Sequence, residues 1–358
     1  MTDDFIQLLE QLVAIPSVST QEDAAAHFLA QWMLDHGLMA FIDGVGNVVG
    51  GKGTGDKEII LLGHIDTFPG EVPVRREGDL LYGRGSVDAK GPLCTFAAAA
   101  TQVEVPDGWR LTVVGAVEEE AASSKGARHL LSRRRLNPPQ YCIIGEPSNW
   151  DRITLGYKGR LLLNLSMQVP FSHSAGQDAL PAECGVNLWQ AIQEYTNSVN
   201  QEREKTFNKL DASLRSINTT DLGAYAQVDL SIGFRLPEDI KPADLAQHLR
   251  DLVSVYTEEW KTDISFASGE MAYRGSKSTP LVRAFLRSIR ANEGDPRFVV
   301  KTGTSDMNVV GPVWQCPILA YGPGDSSLDH TPSEHIDVQE YLRAIDVLHQ
   351  ALQSLMAG

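Results

Sequence analysis

The stretch EIILLGHIDTFPG breaks off an apolar run at His64, with Asp66 two places later and a turn behind it. Other apolar runs end in the same manner. WRLTVVGAV leads into Glu118, Glu119 and Glu120, QYCIIG leads into Glu146, and CPILAYGPG is followed by a loop that carries His330. Asp88 stands in GRGSVDAKGP, just ahead of an Ala-rich helical pattern. One imidazole or carboxylate at a strand end is commonly no more than a solvated side chain, and a single His-x-Asp pair says little. Convergence of all of them on one edge has a physical consequence, because carboxylates so crowded repel by roughly several kcal/mol unless cations sit among them. Imidazole and carboxylate without cysteine suit zinc, cobalt or manganese better than calcium or an iron–sulfur cluster. An aspartate can bridge two such ions about 3.5–4 Å apart, an arrangement that polarises a carbonyl and activates water near neutral pH. One carboxylate beyond the ligands must then take the water's proton, and the run of three glutamates can supply it.

The elements that must deliver these groups are legible from periodicity. Phe5, Leu8, Leu9, Leu12 and Val13 recur at helical spacing, and STQEDAAAHFLAQWMLDHG predicts a second helix capped by Ser19 or Thr20 and stopped at Gly37. From there to about residue 157, apolar runs bounded by turns alternate with helical patterns, which predicts a mostly parallel sheet covered by helices on both faces. In such sheets sites form beyond the carboxyl ends of the strands. The character changes after GYKG. Residues 160–169 and 226–235 partly alternate apolar with polar, as half-exposed strands do, with helices expected near 185–205 and 242–258 and a last strand near 262–270. That order predicts a ferredoxin-like α+β module inserted in an α/β domain. The expected division is 1–158 with 273–358 for the large domain and 159–272 for the insertion.

Composition bounds the rest. A chain of 358 residues with 42% apolar content exceeds one ordinary core. No stretch approaches the roughly 18 apolar residues of a membrane helix, and the N-terminus opens on acidic rather than basic residues, so the protein reads as cytoplasmic. A formal charge of −15 argues against nucleic-acid binding. Cys94, Cys142, Cys184 and Cys316 are scattered singly and read as small buried hydrophobes.

The series GHIDTFPG, GRGSVDAKGP, AVEEEAASSKG, IIGEPS and HTPSEH resembles the M20 family of di-metal amidohydrolases and peptidases, over essentially the whole chain. The resemblance implies that His64, Asp88 and Glu146 hold one divalent cation and that Asp88, Glu120 and His330 hold the other, with zinc first and cobalt or manganese as alternatives. It implies Asp66 as the residue that orients His64, Glu119 as general base and acid, and a non-proline cis peptide between Asp88 and Ala89. The family's usual pattern is an aspartate followed by two glutamates; counting back from Gly126 puts Glu118 in the aspartate's place. His173, in FSHSAGQDALPAECGVN, matches a histidine that reaches the partner subunit's site and holds the tetrahedral oxyanion, which implies a homodimer. Arg235 matches an arginine that clamps a substrate carboxylate, and Asn187, Thr304 and Ser305 are candidate substrate contacts. Within the family, KTGTSDMNVVGPVW and YGPGDSSLDHTPSEH look most like the hydrolases that release lysine or ornithine from the terminal glutamate of a small acidic amino-group carrier protein. Deacetylation of acetylornithine or acetyl-lysine is the next reading, dipeptidase activity the third, and an inactive binding protein of this fold the reading from another class. Lys125, Arg128, Arg133, Arg134 and Arg135 are the basic residues that an acidic carrier could meet, or else ordinary helix-end charges.

Overall fold

The computed structural model describes residues 2–121, 123–134, 137–171, 179–258 and 260–357, with Arg134 described by its backbone alone. In chain order the elements are α1 (Thr2–Ala14), α2 (Asp23–Asp35), β1 (Met39–Ile42), β2 (Val48–Gly53), β3 (Lys57–His64), β4 (Arg75–Glu77), β5 (Leu80–Tyr82), α3 (Lys90–Gln102), β6 (Trp109–Ala116), α4 (Lys125–Arg134), β7 (Tyr141–Gly145) and β8 (Arg152–Tyr157). Then come β9 (Gly159–Pro170), α5 (Pro181–Asn200), β10 (Asp211–Asp221), β11 (Tyr225–Leu236), α6 (Pro242–Tyr256) and β12 (Lys261–Glu270). The chain closes with β13 (Tyr273–Arg274), α7 (Pro280–Ala291), β14 (Arg297–Lys301), α8 (Asp306–Trp314), β15 (Ile318–Ala320), β16 (His335–Asp337) and α9 (Val338–Met356). Two compact units result: Met1–Gly156 with Arg274–Val300 and Ser305–Gly358, and Tyr157–Tyr273 with Lys301–Thr304.

The large unit is built on a sheet ordered β1-β2-β6-β3-β7-β15-β8-β13, with β14 beside β8. Its centre, β6-β3-β7-β15, is parallel. These strands are buried almost from end to end because helices cover both faces, which is why they read as unbroken apolar runs. The flanks are antiparallel: β1 to β2, β2 to β6, and β15 to β8. Periodicity misses β1, which is only four residues long and nowhere fully buried, and β2, since GVGNVVGGKG offers too few side chains to alternate. The glycines are demanded by packing; a Cβ on Gly51 would stand 2.3 Å from the Leu111 carbonyl oxygen. The start of α2 also departs from expectation. Its N-cap is Glu22, without a side-chain cap bond. The Ser19 hydroxyl instead donates to Asp66 Oδ2 at 2.7 Å, and Thr20 takes a φ of 75°.

The inserted unit follows the order β-α-β-β-α-β, with an antiparallel sheet ordered β10-β11-β9-β12. That is the ferredoxin-like arrangement. Leu161, Leu163, Leu165 and Met167 of β9 and Val228, Leu230, Ile232 and Phe234 of β11 form its core with Leu188 of α5 and Leu245 of α6. Edge strand β10 lacks the alternating pattern because most of it is exposed on both faces.

Candidate metal centre and its surroundings

Register brings the strand endings together. His64 pairs with Ala116 of β6, and Gly63 pairs with Gly145 of β7, so the segments bearing Asp66, Glu118–Glu120 and Glu146 leave one edge of the sheet side by side. Beyond β7, Ile144 pairs with Ala320 of β15, whose following loop returns His330 to that edge.

Asp88 lies at the middle of the group. Its Oδ1 is 3.3 Å from His64 Nε2 and its Oδ2 is 3.2 Å from His330 Nε2, one oxygen facing each imidazole. Glu120 Oε1 is 3.0 Å from His330 Nε2. Asp88, Glu120 and His330 can all direct a ligand atom into a space within 4.8 Å. Glu146 is buried at the end of β7. The peptide between Asp88 and Ala89 is cis. The His330 ring stacks on Phe68 at a centroid distance of 4.2 Å and 10° between planes, a contact with no sequence signal.

The three glutamates have three surroundings. Glu118 takes the left-handed φ of 58°, and its carboxylate accepts from Lys125 Nζ at 2.7 Å and Ser123 Oγ at 3.0 Å. Glu120 faces His330. Glu119 pairs with neither, and its carboxyl is pushed well above the usual range by burial, against the pull of His64 and with the help of Glu146, Asp306 and Glu120. A carboxyl raised by burial is a candidate for general acid–base work.

Buried carboxylates also hold the backbone of this run. Asp66 Oδ1 and Oδ2 accept from the N–H groups of Glu119 and Glu120 at 3.0 and 2.9 Å, and Glu22 Oε1 accepts from Glu118 N–H at 3.1 Å. The His64 Nδ1 atom lies closer to the Asp66 carbonyl oxygen, 3.0 Å, than to its carboxylate, 3.6 Å. Asp66 therefore orients His64 chiefly through its main chain and places the glutamate pair through its side chain. Asp306 was not singled out by the sequence. It is buried, burial pushes its carboxyl up to about 6, and its Oδ1 has no hydrogen-bond partner among the described residues.

Asp88, Glu120 and His330 are a donor set that fits a divalent cation, and His64 stands at the other oxygen of Asp88. Burial works against charge on Asp88, but the His330 and His64 imidazoles outweigh it and hold the carboxyl well below the usual range. Where no cation intervenes, Asp88 and Glu120 raise His330 to about 10; His64 is raised well above its ordinary value by Asp66 and Asp88 against the cost of burial. A proton held on His330 is then one that an ion must displace.

In the inserted unit, Arg235 Nη1 donates to Thr304 Oγ1 at 3.0 Å, and Asn187 is exposed on α5. Ser305 is buried, and its hydroxyl caps α8 by accepting from Met307 N–H at 3.2 Å. His173, the oxyanion candidate, falls outside the described residues, as does Arg135. Of the basic group on α4, Lys125 is engaged by Glu118, and Arg128 Nε donates to the Ser123 carbonyl at 3.0 Å.

Known proteins bear on this geometry. The LysW-lysine hydrolase of Deinococcus radiodurans is 42% identical across 98% of this chain and 97% of its own. The LysW-lysine/LysW-ornithine hydrolase of Sulfurisphaera tokodaii is 30% identical across 98% and 95%. Among solved structures, the M20 family metallo-carboxypeptidase Sso-CP2 of Sulfolobus solfataricus superposes with a TM-score of 0.80 at 16% identity, covering 99% of each chain. A dinuclear metal-binding M20 peptidase of Bacillus subtilis gives 0.72 at 12% identity, covering 99% of this chain and 98% of that one. Those two likenesses concern the fold. Residues 60–354 match the model of peptidase family M20/M25/M40, which spans every candidate ligand at the sheet edge, and the chain belongs to that family.

Proposed function

We propose that this enzyme hydrolyses the amide joining the α-amino group of lysine, or of ornithine, to the terminal glutamate of a small acidic carrier protein. The observation that carries the reading is the 42% identity to a LysW-lysine hydrolase over nearly the full length of both chains. Ornithine stays beside lysine because the more distant relative is named for both, and one methylene is worth only about 1–3 kcal/mol in a pocket.

In this reading His64, Asp88 and Glu146 hold one cation and Asp88, Glu120 and His330 the other, zinc by preference. When bound, such a pair polarises the amide carbonyl and brings a water's pKa toward neutrality. Glu119 takes the water's proton and returns it to the leaving amine. Asp66 fixes the approach of Glu119 by holding its backbone N–H. His173 donates to the oxyanion, a role worth about 3–4 kcal/mol for a comparable donor, and acts across a homodimer. Arg235 takes the substrate's free carboxylate through its planar fork, with Thr304 bracing one of its nitrogens. The reaction belongs to cytoplasmic amino-acid biosynthesis; no helix among the described residues is long and apolar enough to cross a membrane.

The test is hydrolysis of carrier-linked lysine, carrier-linked ornithine, acetylornithine, acetyl-lysine and a dipeptide side by side, by protein loaded with zinc, cobalt or manganese. Faster turnover of the carrier-linked substrates is expected. Preference for an acetylated amino acid would make this a deacetylase.

A further inference from the structure

We propose that Glu334 is a positioning residue for Asp88, fixing the backbone of the loop that presents the two carboxylate oxygens to opposite sides. Glu334 is fully buried. Its Oε1 accepts from the N–H of Val87 at 3.0 Å and from the N–H of Asp88 itself at 3.1 Å. The Gly85 N–H also donates to this carboxylate. Its Oε2 is 2.7 Å from Arg84 Nη1, and the Arg84 Nε donates onward to the Gly70 carbonyl at 2.9 Å. The main chain joins in, with Gly83 N–H donating to the Glu334 carbonyl at 3.2 Å. One residue thus gathers the backbone from Gly83 to Asp88.

The contact at Asp88 distinguishes this from an ordinary buried ion pair. A residue whose two oxygens must each meet a different imidazole, at 3.3 and 3.2 Å, tolerates little rotation about its own backbone. Charge-assisted bonds from a fully desolvated carboxylate to the N–H of that residue and of the one before it limit that rotation. Glu334 also follows His330 by four residues, so one short segment touches Asp88 twice: His330 at the carboxylate and Glu334 at the main chain. Partners behind the ligands commonly change metal affinity about 10–100-fold when removed.

The proposal rests on the two-cation reading, and cobalt binding separates the two. Wild-type protein, Glu334→Gln and Glu334→Leu are stripped with chelator and titrated with Co(II), following the visible absorption of the bound ion; stability of the chelated proteins is measured by thermal unfolding. Glu334→Gln keeps an oxygen for the two N–H groups and should bind cobalt about 10-fold more weakly, with an altered spectrum, and Glu334→Leu about 100-fold more weakly. On any cleaved substrate kcat should fall while KM stays put. If Glu334→Gln fails to fold, Glu334→Asp, which keeps the charge but retracts it by one methylene, supplies the same comparison. Variants that unfold earlier yet bind cobalt with wild-type affinity and spectrum would leave Glu334 a purely structural ion pair and overturn the proposal. A wild-type protein that takes up no cobalt would remove the two-cation reading first, and this inference with it.

Discussion

In the large unit β3, β6 and β7 are buried along almost their whole length, and the chemically capable groups come after or at their last residue. In the inserted unit β9 and β11 alternate buried with half-exposed, and Arg235 sits within β11, between the buried Phe234 and Leu236. The two regions place functional groups by different physics. A group beyond a strand end is held by whatever grips its loop, here the carboxylates of Asp66, Glu22 and Glu334 on backbone N–H groups. A group on a strand face is held by register, since slipping β11 by one residue would turn Arg235 into the core. The first arrangement suits groups that must be placed to fractions of an ångström, and the second suits an anchor for a substrate's end.

If that contrast is right, damage at the strand ends should appear in turnover or cation binding and damage on the strand face in substrate affinity. The largest effect is expected for Glu119→Gln, which should retain both cations by elemental analysis and lose about 10³-fold or more in kcat, within the range of general acid–base catalysis. Glu120→Gln should instead lose a cation; the opposite pattern would mean that the roles within the glutamate run are exchanged. Arg235→Lys keeps the charge but loses the fork, and should raise KM by about 10–100-fold at nearly constant kcat. A matching fall in kcat would break the contrast.

A third expectation concerns pH. The folded pKa of His330 is raised from 6.5 to about 10 where no cation is bound, and His64 is raised too. Stability from these pairs is fully present below pH 6.5 and fades as pH climbs toward 10. Chelated protein should therefore lose thermal stability across that window, while cation binding strengthens as fewer protons need displacing. Calorimetry in two buffers of different ionisation enthalpy would reveal the released protons; equal heats would argue that the rings are already neutral. A smaller effect follows from Phe68→Ala, which removes the stack on His330 and should weaken cation binding less than about tenfold, the scale of an aromatic pair. The smallest is expected for Arg133→Glu, which should raise KM for a carrier-linked substrate at low salt and leave KM for an acetylated amino acid unchanged.

How much of this was legible in the sequence follows the same contrast. Apolar runs that stop at His64, Glu118–Glu120 and Glu146 announce themselves, because burial on both faces writes an unbroken run and the break is visible. The M20 resemblance rested on those breaks, and the family match over residues 60–354 bears it out. The parallel centre of the sheet and the ferredoxin-like insertion were predictable from the two kinds of strand. Strands β1, β2 and β10 were not, being rich in glycine or exposed on both faces. Nor were Glu22, Glu334 and Asp306. In a sequence these carboxylates look like any solvated acidic residue, and nothing local reveals that a backbone N–H from 96 or 246 residues away will seek out Glu22 or Glu334. The role of the Asp66 side chain was hidden for the same reason.

The chain leaves the large unit along β8 and comes back along β13, its neighbour in the same sheet, where Gly275 N–H donates to the Leu155 carbonyl at 2.7 Å. This departure and return lie side by side, and the chain between them, Tyr157–Tyr273, is a detour that the large sheet does not need for its own connectivity; Lys301–Thr304 joins the inserted unit separately. The entropy of closing a loop grows only by about 0.6 kcal/mol for each doubling of its length, so such a detour can lengthen, shorten or be exchanged at little cost to the unit that carries it. Evolution acting on a junction of this kind can redesign the inserted unit without disturbing the strand ends of the large sheet.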